Sequence, residues 1–291
     1  MVEWITAPLS YAFMQRGLTA AVMVGVLCAV VGCYVVLRSM AFLGDAMAHA
    51  ILPGVAVAYL LKGNLLIGAL AAAVGVALGI SWFSRRGAIK EDTAIGILFA
   101  AALSLGIVLI SSLKTYAVDL THILFGNVLG VSSSDLWLTA ALGALVLIVI
   151  GLLYKEFLVI SFDPVLAATL RLPVELLRTV LLILLALTIV VSLQTVGVAL
   201  VASMLVTPAA TAYLVTRRLP TMMALSAGIG AFSSLGGLYL SFYANVASGA
   251  AIVLVATGIF LVVFLLEPRR GWLRRGWRRP VHTSQQGSSK G

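Results

Sequence analysis

A chain of 291 residues that is 62% hydrophobic and 10% charged cannot cover a globular surface, since a soluble domain carries about 25% charged residues. The formal net charge of +9 does not point to nucleic acid, because seven of the 19 basic residues fall between Pro268 and Gly291 and others gather in short loops; that placement is a membrane-orientation signal. The composition implies an all-α, polytopic bundle embedded in a lipid bilayer.

Nine apolar runs follow one another, at about 17–37, 45–61, 65–83, 93–112, 136–154, 178–193, 196–215, 221–243 and 249–266. A helical span needs roughly 20 residues, with about 17 as the lower limit. The second and sixth runs are therefore marginal, and eight or nine spans are expected, with ten as an upper bound. The first run holds both cysteines, Cys28 and Cys33. Five residues apart, they point roughly 140° apart on a helix and read as packing residues. No small-x-small cleavage site stands out after this run, so no cleavable signal peptide is expected.

The second run lies in SMAFLGDAMAHAILPGVAVAYLL, Ser39 to Leu61. Asp45 and His49 stand four apart in it, which on a helix places both on one face, about 6 Å apart at Cβ. An ionisable group within a span is costly and marks a functional site by default. Carboxylate plus imidazole suits a divalent transition metal. Two readings compete: a metal-coordinating pair, or a buried pair that fixes helix orientation. One chain supplies one carboxylate and one imidazole, too few to strip a divalent ion of water. Two chains on a two-fold axis would supply two of each, so the motif suggests a dimer with the site near the axis. Pro53 and Gly54 follow one turn later and predict an irregular helix there.

Further along, Asp92, which follows Glu91, reads as a cytoplasmic helix cap opening the fourth run or as a residue with a part in transport. The segment from Lys114 to Asp135 is too long for a connector; its stretch THILFGNVLGV reads as a short helix parallel to the membrane or a re-entrant segment. His122 within it is a surface residue or an entrance ligand. The segment Tyr154–Arg178 is also long. A capped start at Ser161 or Asp163, with Pro164 at the first helical position, predicts a short helix that presents Leu166, Ala167, Leu170 and Val174 and ends at Pro173. Such a helix either lies on lipid or docks a partner. In the seventh run Pro208 opens the backbone, as is common where a pathway passes. Ser203, Thr207 and Thr211 share one face there, as a helix–helix seam or as pathway lining. Glycines at 68, 75, 79, 228, 230, 236 and 237 allow close helix approach.

Lys and Arg set the orientation. Arg38, Arg85, Arg86, Lys90, Lys155, Arg171, Arg178, Arg217 and Arg218 all follow odd-numbered runs, and the loops after even-numbered runs hold little. Odd-numbered ends are then cytoplasmic. Residues 1–267 form the transmembrane domain, with a cytoplasmic segment at about 155–178. Residues 268–291 form a basic cytoplasmic tail that is expected to be disordered, with Trp272 and Trp277 at headgroup depth.

Enzyme signatures are absent: neither H-E-x-x-H nor G-x-x-x-x-G-K-S/T occurs. A pump without its own nucleotide site borrows energy from another subunit or an ion gradient. A gradient-driven carrier usually holds several intramembrane charges, and here one carboxylate stands out. That favours a borrowed ATPase, which the helix at 161–173 would contact.

The stretch GDAMAHAILPG resembles the signature of the membrane permease subunit of bacterial ABC importers for manganese, zinc or iron. EDTAIGILFAAALSLGIVL, DLTHILFGNVLGVSSSDLW, SFDPVLAATLRLPV, VGVALVASMLVTPAATAYLV and GGLYLSFYANVASGAAIVL fit the same family in the same order, from about Arg16 to Leu266. The resemblance implies a permease paired with a second permease chain. It also implies two cytoplasmic ATPases, an extracytoplasmic metal-binding protein and a place in the bacterial cytoplasmic membrane. No permanent cofactor is implied; the metal is cargo. Asp45 and His49 match the intramembrane metal positions. Phe162, Asp163, Pro164, Ala167 and Arg171 fall in the region that docks into the ATPase. Two positions depart from the family pattern: Val165 replaces an acidic residue and Arg171 replaces a glycine. The alternatives are an ABC permease for a metal chelate and a stand-alone secondary metal carrier.

Overall fold

The computed structural model describes residues 8–85, 90–111 and 128–266. Helices make up nearly all of this, with no strand among the described residues. In chain order they are α1 (Ala12–Leu37), α2 (Phe42–Ala50), α3 (Leu52–Leu60), α4 (Leu65–Arg85), α5 (Glu91–Ser111), α6 (Ser133–Leu152), α7 (Tyr154–Phe162), α8 (Pro164–Thr169), α9 (Val174–Val196), α10 (Val198–Val215), α11 (Leu219–Ala244) and α12 (Ser248–Leu266). Among the described residues nine stretches are long and apolar enough to cross a membrane, with α2 and α3 together forming the second.

α1 is the axis of the bundle and packs on α6, α9, α10 and α11. Its small residues make that possible. Gly25 faces Gly230 of α11, and a Cβ at Gly32 would collide with the Leu205 backbone of α10. In lipid, burial of apolar area gives little drive for helix association, so close backbone approach and polar contacts replace it. Ser226 and Ser234 of α11 supply such contacts, donating to the carbonyls of Ala29 and Ala21 on α1 at 2.9 Å each. α3 crosses α4 at Gly54 and Gly68, where a Cβ on either would meet the other's carbonyl oxygen. By contrast α5, α6 and α12 keep most of their surface exposed, as lipid-facing or partner-facing helices do.

Three helix ends close in the same way. After α1, α3 and α8 the chain turns through a residue in the left-handed region: Ser39 (φ 58°), Lys62 (φ 53°) and Arg171 (φ 56°). Behind each, two backbone N–H groups reach back to the last turn, as Met40 to Val35, Gly63 to Ala58 and Leu172 to Ala167 illustrate. This is the Schellman arrangement, which satisfies carbonyls that the helix end leaves free. Between α9 and α10 the reversal is tighter and uses Gly197 at φ 86°, where a side chain would be strained.

The basic residues that alternate along the sequence gather at one end of the bundle. Arg38, Ser84, Glu91 and Arg178 are in contact there, and Leu37, Phe162, Arg217 and Arg218 line one cleft.

The irregularity expected at Pro53 takes the form of two helices in the second run, because Pro53 has no N–H for the His49 carbonyl; that oxygen bonds to the N–H at the helix cap instead. Several other local expectations change. The sixth run extends over Val174–Val196, since Pro173 caps that helix and does not end the previous one. The short helix spans only Pro164–Thr169 and follows a separate helix, α7. Of the glycines singled out, Gly68, Gly230 and Gly237 sit at close crossings, whereas Gly75 and Gly228 face open space. Both cysteines are buried and free. His122, most of the segment around it, and the tail from 268 lie outside the described residues.

Candidate functional site

Asp45 and His49 lie on α2, in the second and third turns after the Ser39 reversal. The helix is otherwise Gly, Ala, Leu, Met and Phe, so nothing beside the two side chains competes for them. Asp45 Oδ1 is 3.7 Å from His49 Nε2. This is longer than a hydrogen bond, and the pair does not satisfy itself. The side chains are 46% and 27% exposed respectively, while their helical neighbours Gly44, Ala46, Met47, Ala48 and Ala50 are buried. Two donors of one ion, each at about 2.0–2.2 Å, lie at most about 4.3 Å apart. The observed spacing therefore fits two ligands of a single ion. Among the described residues no third His, Cys, Asp or Glu completes a metal-sized group.

The packing around α2 fixes its position. Gly44 lies so close to Leu205 of α10 that a Cβ would come within 2.7 Å of a Leu205 methyl. On the α5 side, Phe99 stands 6.0 Å from the His49 ring and meets Phe42 edge to face at 5.7 Å, both centroid to centroid. Aromatic surface thus flanks the imidazole on one side.

The polar face of α10 divides in two. Thr211 is fully buried and donates to the Thr207 carbonyl at 2.7 Å. Ser203 and Thr207 are half-buried and share a 3.4 Å hydroxyl contact. Pro208 sits in the helix interior and leaves the Met204 carbonyl without its usual donor.

In the α7–α8 segment, Asp163 caps α8 by accepting from the N–H groups of Val165 and Leu166, 3.0 Å each, with Pro164 at the first turn. Ala167 is buried against α7 and α9, whereas Phe162, Val165, Leu166 and Leu170 are exposed. The exposed apolar face is therefore not the one read from helical spacing, because Ala167 points into the bundle. Arg171 occupies the left-handed position at the end of α8. This is where the family resemblance leads one to expect glycine.

One constellation escaped the sequence reading. Glu91 at the start of α5 receives a fork from Arg178 of α9: Nε to Oε1 at 2.9 Å and Nη2 to Oε2 at 2.5 Å. Arg38, at the end of α1, adds a contact to Oε2 at 3.3 Å. All three side chains are 13–17% exposed. Burial lowers the Arg38 guanidinium from its ordinary value, and Glu91 opposes that shift. The sequence reading gives the helix cap to Asp92 and no role to Glu91, whose partners lie 53 and 87 residues away; no local spacing signals them.

Comparison with known proteins shows the family of the chain. The ABC 3 transport family matches residues 10–267. The chain is 50% identical over 270 residues to the manganese transport system membrane protein MntC of Halalkalibacterium halodurans, covering 93% of this chain and 92% of that one. It is 44% identical over 273 residues to the manganese import system permease protein ScaB of Streptococcus gordonii, covering 94% and 98%. Among solved structures, PsaBC from Streptococcus pneumoniae in complex with a Fab superposes with a TM-score of 0.82 at 40% identity, over 94% of this chain and 99% of that one. A multi-pass membrane protein with this architecture and these relatives, the chain belongs to the ABC 3 transport family.

Proposed function

We propose that this chain is the permease subunit of an ABC importer that moves a divalent transition metal ion, manganese first among the candidates, into the cytoplasm. The Asp45–His49 pair carries the reading: two ligand side chains, one turn apart and not hydrogen-bonded to each other, on a helix that packs against α5, α9 and α10 of a membrane bundle. The manganese transport relatives support the choice of ion. Oxygen and nitrogen ligands accept iron and zinc as well, so the accompanying binding protein sets much of the selectivity.

The route is as follows. An extracytoplasmic metal-binding protein releases the ion above the bundle. Asp45 and His49, with the same pair from a second permease chain, replace part of its hydration shell. Ser203 and Thr207, beside the backbone opened by Pro208, offer oxygens along the way. The basic end is the cytoplasmic face. There a separate ATPase grips the exposed Phe162, Val165, Leu166 and Leu170 around α8, and its closure shifts the helices above. The bacterial cytoplasmic membrane is the setting that such partners require.

The test is Mn²⁺ uptake into vesicles that carry the permease with and without its ATPase, with Fe²⁺ and Zn²⁺ in parallel. Uptake that requires both ATPase and ATP supports the reading. Metal uptake by the permease alone would make it a secondary carrier, and transport of a metal chelate but no free ion would make the Asp45–His49 pair structural.

A further inference from the structure

The Arg38–Glu91–Arg178 cluster joins three elements by charge, the end of α1 and the starts of α5 and α9. Arg178 lies in the first turns of α9, directly after α8 and its Arg171 turn. Arg38 caps α1 and begins the reversal into α2, the helix of Asp45 and His49. Glu91 opens α5, whose Phe99, two turns on, faces His49. One carboxylate therefore connects the base of the helix behind α8 to both elements that flank the proposed metal pair.

The chemistry of the cluster suits a changing arrangement. Two guanidinium groups share one carboxylate, leaving a formal charge of +1 away from bulk water. Arg38 Nη1 is buried and finds no acceptor among the described residues. Arg178 completes its contacts with the Ser84 hydroxyl at 2.7 Å. Buried ion pairs add little net stability relative to apolar packing, and their best-attested use is to specify an arrangement or a switch. Both guanidinium groups contact the one carboxylate at the same time, so movement of either helix is felt at Glu91.

We infer that Glu91 is the positioning residue through which movement at α8 reaches the Asp45–His49 pair, by holding Arg178 of α9 and Arg38 of the α1–α2 turn together. The inference rests on the importer reading above. A neutral residue at 91 frees α9 to move without drawing α2 and α5 with it. ATP hydrolysis then continues while metal transfer fails.

The experiment uses the complete complex in vesicles and reads Mn²⁺ uptake, ATP hydrolysis and thermal stability of the unmodified chain, Glu91→Gln, Glu91→Asp and Arg85→Gln. The last disrupts a half-exposed pair with Glu175 at the same end (3.5 Å) and serves as control. Expected is a fall in uptake of about tenfold or more in Glu91→Gln, within the range of coupling between sites, with hydrolysis retained and a lowered melting temperature, since two largely buried guanidinium groups lose their carboxylate. Glu91→Asp restores most of the uptake, and Arg85→Gln moves none of the readouts. Uptake retained in Glu91→Gln overturns the inference. So does a loss of ATP hydrolysis in parallel with uptake, which would make the cluster a structural clamp. An unmodified complex without ATP-dependent uptake would overturn the importer reading and this inference with it.

Discussion

Asp45 Oδ1 and His49 Nε2 stand 3.7 Å apart on one helix face without a hydrogen bond between them. A pair kept only to orient α2 would gain most by closing that gap to about 2.9 Å. The open spacing instead leaves both groups available to a third partner. Coordination needs an unprotonated imidazole. Protons therefore compete with the ion, and uptake is expected to weaken on acidification. Initial uptake rates across a pH series, with hydrolysis measured alongside, check this. A rate that rises on acidification would speak against histidine as a ligand.

Arg171 holds φ 56° at the end of α8, where a Cβ is disfavoured and glycine is not. Arg171→Gly is expected to raise stability by up to about 1 kcal/mol, and Arg171→Val to lower it, because branching at Cβ worsens the strain. Melting of the purified permease in detergent compares the two. Equal melting temperatures would show that the turn bears no strain.

Asp163 holds the first turn of α8 through two backbone contacts. Asp163→Ala removes them at a cost of about 1 kcal/mol to that short helix, whereas Asp163→Asn keeps an acceptor. Binding of the ATPase subunit to the permease is expected to weaken in the first and persist in the second. Undiminished binding by Asp163→Ala would place the docking contact elsewhere.

Gly68 and Gly54 bring the backbones of α3 and α4 together. Gly68→Val forces side-chain atoms into the opposing carbonyl and is expected to cost more than about 1–3 kcal/mol, the usual cost of overpacking. Gly75→Val, on the same helix but facing open space, is expected to be tolerated. Yields of folded, monodisperse protein measure both, and equal yields would contradict the crossing.

Much of this was legible before any coordinates. The nine apolar runs, the break near Pro53 and the Asp163–Pro164 helix start follow from local rules of length, missing N–H groups and capping, and the structure shows each of them. The four-residue spacing of Asp45 and His49 likewise needed only helix periodicity. What the sequence could not reveal was long-range. Glu91 carries a carboxylate two residues before a span, where caps are common, and its arginine partners are distant in the chain. Ala167 fell on an apolar stripe, but the direction of that stripe depends on how α8 seats against α7 and α9. Gly75 and Gly68 lie on the same helix, one turned to open space and the other to α3, and only the crossing geometry separates them.

The central claim is that metal passes through Asp45 and His49. ATP-dependent Mn²⁺ uptake by the reconstituted complex, compared among the unmodified chain, Asp45→Ala and His49→Ala, tests it directly. The account predicts that both variants assemble with the ATPase and hydrolyse ATP but lose uptake. Normal uptake in both would contradict it and reduce the pair to helix packing.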